Sequence, residues 1–144
     1  GLLEESAGDA TKAMEYYKKT LELQPQQPAA SNNLAYLMAE HGQNLDVALT
    51  LAQTDRRGLP NSASTDDTLG WVYFRKGQYD SARSYLEDAA KLDPNNASIH
   101  YHLGMTYSRL NRKPDAQVHL NKAITLAPNT QTMKDATQEL QRLG

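Results

Sequence analysis

Four prolines, Pro25, Pro60, Pro94 and Pro128, follow one another at intervals of 35, 34 and 34 residues, and this recurrence limits what the chain can fold into more than any other feature. Two further series keep the same step. Ala13, Ala48, Ala82 and Ala116 each stand twelve residues before a proline. Leu34, Leu69 and Leu103 are followed at once by Ala35, Gly70 and Gly104 and, four residues after each leucine, by Met38, Tyr73 and Tyr107. A fixed period of this size means a stack of similar units, each burying its apolar face against its neighbours. The units read as helix pairs. Residues 63–76 carry a helical apolar spacing that Gly77-Gln78 interrupts, and in residues 79–92 Ala82, Leu86 and Ala89 recur at i, i+4 and i+7 before Asp93-Pro94 stops the pattern. Small residues at Gly70, Ala82 and Ala89 let backbones approach closely while Tyr73 and Leu86 fill the remaining space. Pro114 suits a helix first turn, where its missing N–H costs nothing.

Leu-Gly-x-x-Tyr, a central small residue, a bulky residue four later and a closing Pro together resemble the tetratricopeptide repeat (TPR) family. The segment from Gly70-Trp71-Val72-Tyr73 to Asp93-Pro94-Asn95-Asn96 is similar to a consensus repeat, and the resemblance covers nearly the whole chain. It implies an all-α, right-handed superhelical solenoid of helical hairpins. The register divides it into a partial repeat over 1–27, repeats over 28–62, 63–96 and 97–130, and a capping helix over 131–144. Seven well-formed helices are expected besides a short N-terminal remnant, because the register starts the chain inside the first helix of a repeat, as in a piece of a longer protein. In the cap, Met133, Ala136, Leu140 and Leu143 share one face. The pattern also has departures. Ser31, Asp66 and His100 replace the aromatic favoured three residues before the leucine, and the second repeat carries an extra residue between Gly42 and Ala48. Asp55, Arg56 and Gly58 stand where later repeats have Ala89, Ala90 and Leu92, so that helix is expected to fray or end early near Thr54–Gly58.

Composition removes other classes. With 39% hydrophobic residues and a mean hydropathy of −0.72, the chain exposes much surface, as an elongated shape would. No apolar run approaches the ~20 residues of a membrane span, and Gly1-Leu2-Leu3-Glu4-Glu5 lacks the basic stretch and apolar core of a signal peptide. A net charge of −2 without a basic stripe argues against nucleic acid. No cysteine is present for disulfides, thiol nucleophiles or thiolate metal sites. His100 and His102 lie ~200° apart on a helix and cannot chelate one ion. Asp66 and Asp67 are read as first-turn residues complementing the helix dipole after Ser62 and Ser64. His41 and His119 belong to no catalytic motif, so no enzyme activity, metal or cofactor is expected. Compartment stays open between cytoplasm and periplasm.

Function is therefore sought in a surface. With Leu69 at 0°, Tyr73 and Gly70 fall within ~100° of it, while Asp67, Trp71 and Phe74 cluster at ~140–220° on a second face. In the TPR family that face lines a concave groove for peptides or partner helices. Here the same offsets give Ala29, Asn32, Tyr36, Ala39 and Glu40; then Ser64, Asp67, Trp71, Phe74 and Arg75; then Ser98, Tyr101, Met105, Ser108 and Arg109, with Asn33 and His102 also counted to the groove, His102 on its flank. Tyr36, Trp71 and Met105 share one offset and are expected to form a stripe along the groove. The expected function is a non-enzymatic scaffold binding a peptide segment or partner protein. The alternative is a structural spacer or self-association module, acting through truncated repeat ends with its groove empty. Short segments such as Asn32-Asn33-Leu34-Ala35-Tyr36 are similar to bacterial TPR proteins. Asn33 matches one Asn of the clamp with which family members hold chaperone C-terminal tails, but Ser64 and Thr68 stand where the clamp needs cations. A heat-shock chaperone tail is not the expected partner.

Overall fold

Where the helices stop is written in the turns. At Gly42, Gly77 and Asn111 the backbone takes a positive φ of 64°, 80° and 60°. Around each, the chain closes with the same two bonds: Gln43 N–H to Met38 O, Gln78 N–H to Tyr73 O and Arg112 N–H to Tyr107 O, each at 2.9 Å, and a shorter-range bond from the left-handed residue itself. This is the Schellman cap, and glycine or asparagine is the residue that tolerates it. The opposite ends start from polar caps at a matching interval. Ser62 Oγ accepts from Thr65 N–H, Asn96 Oδ1 from Ile99 N–H and Thr130 Oγ1 from Met133 N–H. Pro60, Pro94 and Pro128 each stand two residues before these caps, in the loops between hairpins.

The computed structural model describes the backbone of residues 2–24 and 28–144 and the side chains of 11–24 and 30–144. The described residues form eight helices and no strand: α1 (Leu2–Leu23), α2 (Pro28–Glu40), α3 (Leu45–Gly58), α4 (Ala63–Arg75), α5 (Tyr79–Leu92), α6 (Ala97–Arg109), α7 (Lys113–Leu126) and α8 (Gln131–Leu143). Helices α2/α3, α4/α5 and α6/α7 pack as hairpins, α8 packs on α7 and α6, and α2, α4 and α6 contact in succession. The chain is an all-α helical repeat solenoid. None of the described helices is long and apolar enough to cross a membrane. Pro114 lies in the first turn of α7, as expected. Pro25 lies outside the described residues.

The recurring small residues set the packing. Ala48, Ala82 and Ala116 are fully buried, as are Ala89 and Ala123. A Cβ added at Gly70 would come within 2.6 Å of Leu86 Cγ, and one at Gly104 within 2.5 Å of Leu120 Cγ, so each glycine marks where a leucine from the other helix of the hairpin presses on backbone. In α2 and α3 the pair is exchanged: Ala35 takes the glycine position, and Ala52 takes the leucine position. A larger residue on one side is matched by a smaller one on the other.

Two expectations fail. α1 is no short remnant but 22 continuous residues, running through Gly8 where the register puts a turn; one glycine in a helix costs only about 1 kcal/mol. α3 does not end early near Thr54–Gly58. It continues to Gly58 because its polar residues find tertiary partners. Arg56 Nε–H donates to Asp66 Oδ1 at 2.8 Å, its guanidinium lies 5.1 Å over the Tyr85 ring, and Asp55 is buried with the Ser31 hydroxyl bonded to it.

Candidate functional site

The first helices of the hairpins, with α8 as the next in the series, turn one face toward a shared hollow. At its floor is an aromatic stack. The Trp71 indole lies against Phe74 at 4.5 Å with the planes 7° apart, and against His102 at 4.1 Å and 23°. Arg109 extends the stack over the Phe74 ring at 5.8 Å, while Tyr101 and Tyr36 meet it obliquely at 6.2 Å from Trp71 and 6.1 Å from His102. Hydrogen bonds fix the rings. Trp71 Nε1–H donates to Glu40 Oε1 at 2.6 Å, joining α4 to α2, and His102 Nδ1–H donates to Asp67 Oδ1 at 2.7 Å, joining α6 to α4. Asn32 Nδ2–H donates to Ser64 Oγ at 2.9 Å.

Above this floor lies a cavity of about 300 Å³ lined by Tyr36, Glu40, Trp71, Arg75, Ser98, Tyr101 and His102, with Gln131, Thr132 and Asp135 of α8 closing it. A second hollow of about 290 Å³ opens beside it, where Asn32, Asn33, Tyr36, Asp67 and Ser98 meet the Asp93–Asn96 turn. Of the residues picked from sequence, Tyr36, Glu40, Trp71, Arg75, Ser98, Tyr101 and His102 therefore come together in the main cavity, and Asn32, Asn33 and Asp67 line its neighbour. Phe74, Met105 and Arg109 line neither. The stripe of Tyr36, Trp71 and Met105 is not the open apolar track expected. Trp71 is only 5% exposed because Tyr101 and His102 close over it from α6, Phe74 is likewise buried, and Met105 packs against the core.

Both tyrosines of the cavity are hard to ionise. Burial is the main reason both phenols resist ionisation, with nearby carboxylates adding to it: Glu40 and Asp67 act on Tyr36, and Asp135, Glu40 and Glu139 act on Tyr101, whose pKa is pushed up to about 12. Asp66 and Asp67 have specific partners in Arg56 and His102, beyond the helix-end role expected of them. The share taken by α8 was missed in the sequence, although a signal was present. Stepping one period of 34 from Ser98, Tyr101 and Met105 reaches Thr132, Asp135 and Glu139. Glu139 accepts from Ser108 Oγ–H at 2.7 Å and pairs with Arg142 and with Arg109 at 3.6 Å; desolvation opposes these cations, which prevail and hold its carboxyl below the ordinary glutamate range. His100 and His119 face each other at 3.0 Å between Nδ1 atoms, away from the cavity. No group of three or more metal-ligating side chains occurs among the described residues.

Known proteins place this architecture. Residues 70–111 match the family described as TPR repeat, and residues 1–27 and 97–130 match that described as tetratricopeptide repeat, together more than half of the chain. Photosystem I assembly protein Ycf3 of Cyanophora paradoxa is 45% identical over 42 residues, which are 29% of this chain and only 24% of that protein's length. A thermophilic TPR protein of Thermus thermophilus superposes with a TM-score of 0.85 at 22% identity, over 100% of this chain and 79% of the other. The first TPR of Spaghetti (RPAP3), solved bound to an HSP90 peptide, superposes at 0.71 and 19% identity, over 82% of this chain and 90% of that one. At these identities the structural likeness is one of fold, and it agrees with the sequence matches: the chain belongs to the tetratricopeptide repeat family.

Proposed function

We propose that this chain is a non-enzymatic scaffold that binds a peptide segment of a partner protein along the face shared by α2, α4, α6 and α8. TPR folds serve protein–protein interaction in general. The observation that carries the reading further is the cavity itself, where side chains from four separate helices converge on one hollow without filling it. Such a surface arises when repeats are stacked, and one segment lying along it touches every repeat in turn. Its polar rim and aromatic floor match the composition of interaction sites. The repeats that build it are those of residues 28–62, 63–96 and 97–130. The TPR relative solved with an HSP90 peptide is a precedent for peptide binding by this fold. This chain lacks the clamp cations at Ser64 and Thr68 and is assigned a different ligand.

The buried stack favours a second reading, a structural spacer in which the concave aromatics serve only each other. Photo-crosslinking separates the two. A benzoylphenylalanine placed at Tyr101 in the cavity is expected to capture a discrete partner band in cells, whereas the same probe at exposed Val118 on α7 captures none. Identical patterns from both positions would leave the spacer reading standing alone.

A further inference from the structure

The carboxylates of this face are not all matched. Asp67 bonds His102, and Glu139 pairs with Arg142 and Arg109. Glu40 and Asp135 have no ion-pair partner among the described residues, yet both line the main cavity, one from α2 and the other from α8. Each is held in place by one oxygen. Glu40 Oε1 accepts from Trp71 Nε1–H, and Asp135 Oδ1 accepts from Gln131 Nε2–H at 2.9 Å, which leaves each carboxylate a second oxygen for a ligand. The Tyr36 and Tyr101 side chains line the same cavity, on a floor made by the Trp71 and His102 rings.

Aromatic faces carry negative charge density, and together with fixed carboxylates they attract a cation and repel an anion. The ionisation behaviour of the two phenols is consistent with such a field, since Glu40 acts on both. A cavity of about 300 Å³ holds one long side chain rather than a folded segment. Arg75 lines the same cavity, is exposed, and forms no ion pair among the described residues, so it stands at the rim as an internal rival for Glu40.

We propose that the cavity is the receptor for a Lys or Arg side chain of the partner segment, with Glu40 and Asp135 as counter-ions and the rings of Tyr36 and Tyr101 as its walls. This rests on the peptide-binding reading above and adds the charge of the peptide. It makes the groove a reader of basic segments, the reverse of a carboxylate clamp.

The test uses a random peptide library of about twelve residues displayed on phage and panned against the whole chain, a length that spans several repeats of an extended-peptide groove. Binding of enriched peptides is then titrated through the fluorescence of Trp71, the chain's single tryptophan. Enriched peptides are expected to share a Lys or Arg whose replacement by Gln weakens binding about tenfold or more. The double variant Glu40→Gln, Asp135→Asn keeps the acceptors that hold Trp71 and Gln131, and it is expected to lose the same factor with its thermal midpoint unchanged. Arg75→Ala is expected to tighten binding of basic peptides. Peptides that bind through Tyr101 without a shared basic residue, or that are indifferent to the double variant, would overturn the basic-segment assignment and leave the groove reading intact. Weaker binding in Arg75→Ala would likewise overturn it. If no peptide is enriched, or none depends on Tyr101, both readings fall.

Discussion

At the scale of single residues, the contact between Gly70 and Leu86 decides how close two helices come. Leu86 is fully buried and cannot retreat from an added methyl group, so Gly70→Ala is expected to destabilise by about 1–3 kcal/mol despite the better helix propensity of alanine. Leu86→Ala alone is expected to cost about 2–5 kcal/mol by leaving a cavity. The double substitution copies the natural pair Ala35 and Ala52, and its cost is expected to fall below the sum of the two by about 1 kcal/mol in a denaturation cycle; strict additivity would show that the two sites do not touch. Asp55 tests burial of charge. It sits where later repeats have Ala89 and Ala123, and desolvation, opposed only by the Ser31 hydroxyl, pushes its carboxyl up to about 6 from the usual 3.8. The folded chain therefore binds this proton more tightly than the unfolded chain does. The resulting destabilisation is absent below the unfolded value, grows as pH rises toward 6 and is complete above it. Asp55→Asn is expected to raise the thermal midpoint at pH 8, with the gain fading toward pH 4. A gain equal at both pH values would refute the assignment.

At the scale of elements, α3 shows what a sequence pattern conceals. Periodicity revealed α4 to α7 because their apolar residues recur where helix meets helix, and the glycine turns and polar caps mark their ends. The last turns of α3 lack that signal. They are held by Arg56 reaching Asp66 on α4 and the ring of Tyr85 on α5, contacts between residues whose sequence spacing gives no sign of them. The same limit hid the cavity's closure: helical angles put Trp71 on one face with Asp67 and Phe74 but could not show Tyr101 and His102 folding over it from the next hairpin. The sequence pattern places Asp135 only on the polar side of the capping helix, because the residues it shares the cavity with, Tyr36, Glu40 and Tyr101, belong to other repeats. Removing Arg56 should therefore have an effect beyond the surface. Desolvation already outweighs the pairing and raises the Asp66 pKa, so Arg56→Ala leaves a buried carboxylate unpaired and is expected to cost about 1–3 kcal/mol at pH 7. The loss should shrink toward pH 4, where Asp66 takes up a proton, and hydrogen exchange should quicken at residues 54–58 first. A loss that is independent of pH would locate the contribution in packing alone.

For the whole molecule, the aromatic stack and its hydrogen bonds tie α2, α4 and α6 together, and Glu139 ties α6 to α8 through Ser108. Solenoids can unfold repeat by repeat when junctions are weak. Here one indole touches three successive hairpins, so the loss of Trp71 fluorescence on denaturation is expected to coincide with the loss of helical circular dichroism. Two separated transitions would show that the hairpins melt independently. The column of Ser31, Asp66 and His100 bears on a different hazard. Proteins made of near-copies can assemble in the wrong order, one hairpin taking its neighbour's place. In this chain each copy presents its own buried polar group and meets its own counterpart: hydroxyl with Asp55, carboxylate with Arg56, imidazole with His119. If α6 docked where α4 belongs, it would offer His100 to Arg56 and leave a guanidinium without its anion. The three departures from the repeat pattern thus give otherwise interchangeable parts three different buried pairings, each of which an exchange of hairpins would break.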